Sequence, residues 1–407
     1  MKLERKHQFF MALLSIGLGL LVAEAGVRLF CRTESDGNRY FGNVQLKPYH
    51  LPVERTRQLV NEYEKSLASS AINYDADLGW APHPGMAGSN QQGFNSTAPN
   101  PEKSHQEALR VEVFGASYNR GWWKDMENTF TGSGLKAEVF DFGVGGYGLD
   151  QAYLRWKKQG VEYHPDIVVL GYCLGTIFNN ANMLRLIQNP QSGLPFAKPR
   201  FVTSGTGMDL INVPTQKPGE LAEFVSRLEQ WPLLRYESFY HPGDYAYTPL
   251  RHLMLYALIE AKLDSFGSGS LRYLSSRKAI QPRFFKPGDE SVILTLELVR
   301  QFKRDVESHG GRFYMVNLPT EGDLFWYKAH GSFSYSEIYA TLQNIVTVIK
   351  PESPMLQVIK ENQSNSLFGD GHYGRELQAA VGKEVASRIM ALEGDALKMG
   401  QPAAKRD

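Results

Sequence analysis

The chain has 407 residues, 44 of them basic and 43 acidic, with 42% hydrophobic and 12% aromatic residues. That length buries a large core, as one large domain or two smaller ones, and the near-zero net charge offers no clustered basic face for nucleic acid. Two cysteines without a C-x-x-C pair, and ten histidines without an H-x-x-x-H helical pattern, count against a zinc or redox motif.

The N-terminus begins with Lys2, Arg5 and Lys6, followed by the apolar run FFMALLSIGLGLLVA and then EAGVRLF. A helix needs about 20 residues to cross a bilayer, and continuing to Phe30 supplies them. Glu24 and Arg28, four apart, can pair on one helical face. The segment 1–31 is therefore expected to be an uncleaved membrane anchor, with the rest of the chain outside the cytoplasm. The alternative is a signal peptide cut at Ala23-Glu24-Ala25, leaving a secreted or periplasmic protein. Cys31 follows this segment, while Cys173 lies in a core-like apolar run and is expected to be buried and inert.

Residues 32–106 form a polar approach segment with one helical stretch near Leu51–Ala71, then YDADLGWAPHPG and NQQGF. From Leu109 the character changes. LRVEVFGAS, AEVFDFG, DIVVLGYCLG and GRFYMVNLP read as strands, with MLQVI (355–359) as a short fifth. LDQAYLRWKKQG reads as a helix between the second and third. Asp289 is placed to cap a helix carrying Leu294, Leu298 and Phe302. Ser334 to Glu337 matches a capping box before a helix at 338–349, and a last helix carries Leu377, Val381, Val385 and Ile389. This alternation predicts a parallel sheet with helices on both faces. A Pro- and Gly-rich insertion, about 180–286 with an apolar helix near 250–263, is expected over the strand ends, and residues 396–407 read as a disordered tail.

FDFGVGGYGLDQ matches G-x-G-x-x-G at Gly143, Gly145 and Gly148. A dinucleotide site would require an acid at the end of the next strand, but that end reads Gly171-Tyr172-Cys173-Leu174-Gly175. The same backbone can instead donate an N–H to a reaction intermediate. Ser117 follows the first strand in VEVFGASYNRG, and LFGDGHYGRELQ places Asp370 and His372 before the last helix. A serine becomes a nucleophile when a base lies within hydrogen-bond reach and a third group orients that base. Each of the three taken alone reads as a cap or turn residue; together they sit at comparable sheet-to-helix junctions.

These segments resemble the SGNH hydrolases, also called the GDSL family, and more narrowly its membrane-anchored bacterial members. YDADLGW and NQQGF resemble the stretch preceding the nucleophile block. VEVFGASYNRG resembles that block, with Ser117 as the serine. FDFGVGGYGLDQ resembles the second block, with Gly146 as the oxyanion-hole glycine, PDIVVLGYCLGTIFNN the third, and FGDGHYG the last. The resemblance implies a flavodoxin-like three-layer α/β/α sandwich on a five-stranded parallel sheet, over residues 107–395. It also implies a Ser117–His372–Asp370 triad and an oxyanion hole from Ser117, Gly146 and Thr176, with no metal or organic cofactor. Three departures stand out. Ala116 replaces the family's aspartate before the serine. Thr176 follows Gly175 where the family has asparagine, with Asn179 and Asn180 as substitute donors. The Asp–His spacing is one residue short of many members and resembles that of alginate O-acetyltransferase-like relatives. The implied activity is hydrolysis of an ester, such as O-acyl groups on a cell-envelope glycan. The alternatives are O-acyl transfer to an exported polysaccharide, or glycan binding without catalysis.

Overall fold

The structure, a computed structural model, describes residues 2–34, 37–86, 88–98, 108–205, 207–267, 285–362 and 367–398. The chain opens with one long helix, α1 (Lys2–Phe30). Its Lys6–Phe30 portion has a mean hydropathy of 2.0 and is long and apolar enough to cross a membrane. Three short strands follow as an antiparallel sheet, β1 (Cys31–Thr33), β2 (Arg39–Phe41) and β3 (Val44–Leu46). Helix α2 (Val53–Lys65) leads to a hairpin of β4 (Ile72–Asp75) and β5 (Gly79–Pro82), and then to β6 (Asn95–Ser96).

The central unit starts at β7 (Leu109–Gly115) and continues through α3 (Trp122–Gly132), β8 (Ala137–Asp141), α4 (Leu149–Lys158) and β9 (Ile167–Tyr172). Next come α5 (Arg185–Gln188), the hairpin β10 (Arg200–Ser204) and β11 (Gly207–Ile211), α6 (Pro218–Ser226), α7 (Pro242–Tyr245) and α8 (Met254–Gly267). The rhythm then resumes with α9 (Glu290–Ser308), β12 (Arg312–Asn317), α10 (Glu321–His330), α11 (Ser336–Gln343), β13 (Thr347–Ile349) and α12 (Glu352–Glu361). A small hairpin, β14 (Phe368–Gly369) and β15 (His372–Tyr373), precedes the last helix, α13 (Arg375–Lys398). The expected tail at 396–407 is helical as far as Lys398, and its remainder lies outside the described residues.

The main sheet has the order β13-β12-β9-β7-β8-β6. The first five strands run parallel, and β6 adds an antiparallel edge, so the fold is α/β with a mixed rather than purely parallel sheet. Alternation along β7 sorts the core. Val111 and Val113 face α3 and α13 in one apolar layer, while Phe114 faces α4 and α9 in the other. Gly382 lets α13 and α3 approach closely, because a Cβ there would lie 2.3 Å from the Trp122 carbonyl oxygen.

Several local expectations fail for physical reasons. MLQVI is part of α12, since Met355, Leu356 and Ile359 have the spacing of one helical face, and packing fixes that period. The fifth parallel strand is instead the β-branched run Thr347-Val348-Ile349, paired with Tyr314–Val316. The helix before it ends at Gln343, six residues short of the expected 349. Its capping box does not form: Tyr335 occupies the N-cap, and the Ser334 hydroxyl is buried without a hydrogen-bond partner. Asp289 takes the N-cap of α9 without a side-chain cap bond.

Candidate active site

Strand β7 ends at Gly115, whose φ of +145° and 2.1 Å Cβ-to-Gly171 oxygen clearance admit no side chain. Ser117 opens the single helical turn that follows, half-buried at the carboxyl edge of the sheet. His372 arrives from the other end of the chain on β15. Its hairpin is closed by Asp370-Gly371, both with positive φ (50° and 78°), the geometry of a two-residue Asp-Gly turn. Tyr118 steadies that turn, its hydroxyl donating to the Gly371 carbonyl at 2.9 Å while its ring lies 5.1 Å from the His372 ring. Tyr373 anchors the hairpin below by donating to the Pro319 carbonyl at 2.6 Å.

His372 Nε2 and Ser117 Oγ are 2.7 Å apart, although 255 residues separate them in sequence. On the other side of the ring, Nδ1 lies 3.1 Å from the main-chain carbonyl oxygen of Asp370. With Nδ1–H donating to that oxygen, Nε2 carries the lone pair and accepts from the serine hydroxyl. Asp370 itself is exposed and meets the ring through its backbone, a consequence of its place in the turn.

The glycine loop between β8 and α4 forms the adjoining wall. Val144 N–H donates to the Gly115 carbonyl at 3.0 Å, fastening the loop to the end of β7. Gly146 has a φ of +80°, and a Cβ there would meet Leu194 at 3.0 Å and Arg185 Nη2 at 3.8 Å. Arg185 is held by Asn179 Oδ1 at 3.2 Å and Gln188 Oε1 at 2.8 Å, and burial lowers its pKa to about 10.

The hydroxyl of Thr176 and the amide of Asn180 are engaged elsewhere, and Asn179 is held through its oxygen. Thr176 Oγ1 donates to the Cys173 carbonyl at 2.9 Å, and its N–H reaches the same oxygen at 3.0 Å. Asn179 Oδ1 accepts from Gln188 at 2.6 Å as well as from Arg185. Asn180 Oδ1 accepts from Leu149 N–H at 2.8 Å, at the start of α4, and its amide donates to Tyr172 and Thr295. Cys173 is buried, and burial pushes its thiol well above the ordinary value.

A cavity of about 500 Å³ opens beside Ser117. Gly143, Val144 and Gly145 line one side, Arg120 and Lys124 another, and the approach segment closes it with residues such as Met86, Asn95 and Thr97. The lining residues include none from the 180–286 insertion, although Leu194 and Arg185 of that segment pack against Gly146 in the adjoining loop. The insertion's apolar residues, among them Leu184, Phe201, Leu221 and Phe239, join the core on the α4 and α9 side. Asp141 also lines the cavity. Burial raises its pKa to about 6, against the opposing N–H of Gly143 and amide of Asn95. Among the described residues, no group of three or more His, Cys, Asp or Glu is gathered as metal ligands would be.

Sequence reasoning missed Asn119, Tyr118 and Arg185. Asn119 is fully buried with both amide atoms unpartnered, and it fills space left by glycines at the ends of three neighbouring segments, Gly115, Gly143 and Gly171. Those glycines were legible in the sequence; the side chain that occupies the gap was not.

No family model matches the chain, and no curated protein matches it. Solved structures similar to it include a GDSL-like lipase from Bacteroides thetaiotaomicron, 11% identical, with a TM-score of 0.32 over 71% of this chain and 92% of that one. Another is the acetyl xylan esterase AlAXEase, 12% identical, with a TM-score of 0.35 over 70% of this chain and 99% of that one. Likenesses this loose say nothing of the reaction.

Proposed function

We propose that the protein is a serine-dependent esterase of the SGNH type, acting outside the cytoplasm from a single-pass anchor formed by α1. The observation that carries the reading is the 2.7 Å approach of His372 Nε2 to Ser117 Oγ at the mouth of a cavity. A hydrogen-bonded imidazole is what turns a serine hydroxyl into a nucleophile near neutral pH.

In this reading Ser117 Oγ attacks an ester carbonyl carbon as its proton passes to His372 Nε2. The charge developing on the carbonyl oxygen is met by the N–H groups of Ser117 and Gly146, while the Thr176 hydroxyl stays on the Cys173 carbonyl. The Arg185 guanidinium beside Gly146 adds a favourable positive field. His372 returns its proton to the departing alcohol oxygen. A water then attacks the acyl carbon, its proton passing to the same nitrogen, and His372 returns that proton to Ser117 Oγ as the acid leaves. Asp370 holds the ring orientation throughout. Substrates with O-acyl groups on a cell-envelope glycan suit an enzyme tethered at the membrane.

A serine-reactive fluorophosphonate probe tests the assignment. The full-length protein is expected to be labelled at Ser117 and to hydrolyse a short acyl ester, with both lost in Ser117→Ala at an unchanged melting temperature. Absence of labelling in the parent protein would favour glycan binding without catalysis. An acyl group recovered on an added polysaccharide rather than as free acid would favour transfer.

A further inference from the structure

Helix α8 is apolar on both sides. Inward, Ala257 and Ala261 are buried against Val44 and Leu46 of β3, with Met254 and Leu258 packed beside them. Its outward positions are large and apolar: Tyr256, Ile259 and Leu263 recur at helical spacing, with Ile259 48% and Leu263 63% exposed. Leu250 and Leu253 extend the stripe just before the helix, and both are exposed. Scattered exposed leucines are ordinary, whereas an apolar stripe along one helix marks a contact surface.

The stripe lies beside the end of the apolar helix α1. The carboxyl-terminal turns of α1 are fastened to the amino end of α8. Glu24 accepts from the Met254 and Leu255 N–H groups at 2.9 and 2.7 Å, satisfying two donors that a helix start leaves open. Arg28 bonds Glu24 at 2.6 Å and donates to the His252 carbonyl at 2.7 Å. The one carboxylate in the apolar part of α1 is therefore neutralised by a cation and two amides, as a charge near lipid must be. The last residues of α1, Leu29 and Phe30, are exposed beside this junction.

We infer that α8 is a second membrane-seated element, its Leu253–Tyr256–Ile259–Leu263 stripe lying in the interfacial layer of the bilayer that an uncleaved α1 crosses. The proposal rests on the reading of α1 as an anchor. Cutting at Ala23-Glu24-Ala25 would remove the carboxylate that caps α8, so the fold uses the residue that a signal peptide would discard. A helix with an apolar outer face, held at the surface by a span of the same chain, inserts without a separate cost of recruitment. It would fix the orientation of the domain relative to the bilayer rather than leave it swinging on a tether.

The test uses full-length protein extracted from membranes and reconstituted in phosphatidylcholine–phosphatidylglycerol vesicles. An environment-sensitive fluorophore is attached at Ile259→Cys in a Cys31→Ser background, with Asp209→Cys on the β10–β11 hairpin as the water-facing comparison. Doxyl-labelled lipids are expected to quench the label at 259 at least twofold more than that at 209. Intact mass should show residues 1–30 retained. Equal quenching at the two positions in a protein that resists alkaline extraction would overturn the role of α8 while leaving the anchor standing. Shielding at 259 from iodide without lipid quenching would identify a protein cover and also overturn it. A mature chain lacking residues 1–25 would overturn both.

Discussion

Two neighbouring parts of the sheet edge make opposite use of their polar groups. At the Ser117–His372 junction, a hydroxyl and an imidazole from segments 255 residues apart meet beside an open cavity. In the 173–180 turn, Thr176, Asn179 and Asn180 hold the Cys173 carbonyl, Arg185 and the start of α4. A polar residue close to the Ser117–His372 pair is thus not by position alone a free donor. A donor already spent on a backbone oxygen must break that bond before it can stabilise an intermediate.

The largest expected effect lies on the first side of this comparison. Ser117→Ala and His372→Ala should each lower kcat/KM for an acyl ester by on the order of 10⁴ or more, and the double variant should fall little further, because the pair acts as a unit. Additive losses would break the pairing. On the structural side, Lys198 forms a fully buried ion pair with Asp150 and also donates to the Asn182 carbonyl at 3.1 Å, joining the insertion to the start of α4. Lys198→Met strands a buried carboxylate and should cost about 3–5 kcal/mol in urea unfolding.

Asp370 sharpens the contrast. If its main-chain carbonyl orients the ring, Asp370→Ala should cost less than about tenfold in kcat, whereas loss of an orienting carboxylate typically costs about 10⁴. Thr176→Val asks the same of the second region. With its hydroxyl kept on Cys173, the loss should stay under about tenfold, short of the roughly 10²–10³ that follows loss of an oxyanion donor.

The smallest effect concerns Glu112, buried on the aromatic face of β7 with neither oxygen hydrogen-bonded. Burial raises its pKa well above the ordinary 4.5, with Arg110 only partly opposing. The native state thus binds the proton more tightly than the unfolded state. Its contribution to stability is full below the unfolded value and is lost as pH rises from there toward the native value. Glu112→Gln should flatten the fall in melting temperature between pH 5 and 8, and an unchanged slope would assign that fall to other buried acids such as Asp150 and Glu237.

What the sequence determined by itself was whatever depends on short-range pattern. Apolar–polar alternation marked β7, and a continuous apolar run marked β9, because a strand buried on both faces favours apolar residues at every position. The unbroken apolar stretch of α1 and the Glu24–Arg28 pair were legible for the same reason. Ser117, Asp370 and His372 were legible as candidates at strand-to-helix junctions, and the structure brings the serine and the imidazole within 2.7 Å. The tertiary structure alone decided where spare groups went. MLQVI and the 347–349 strand exchanged their expected roles because short apolar segments satisfy either period until a neighbour is present. The approach segment came to wall the cavity, and Asp370 turned its carbonyl rather than its carboxylate to the ring. A hydrogen bond needs a partner at a fixed distance and angle, and no local sequence pattern specifies which distant residue will arrive there.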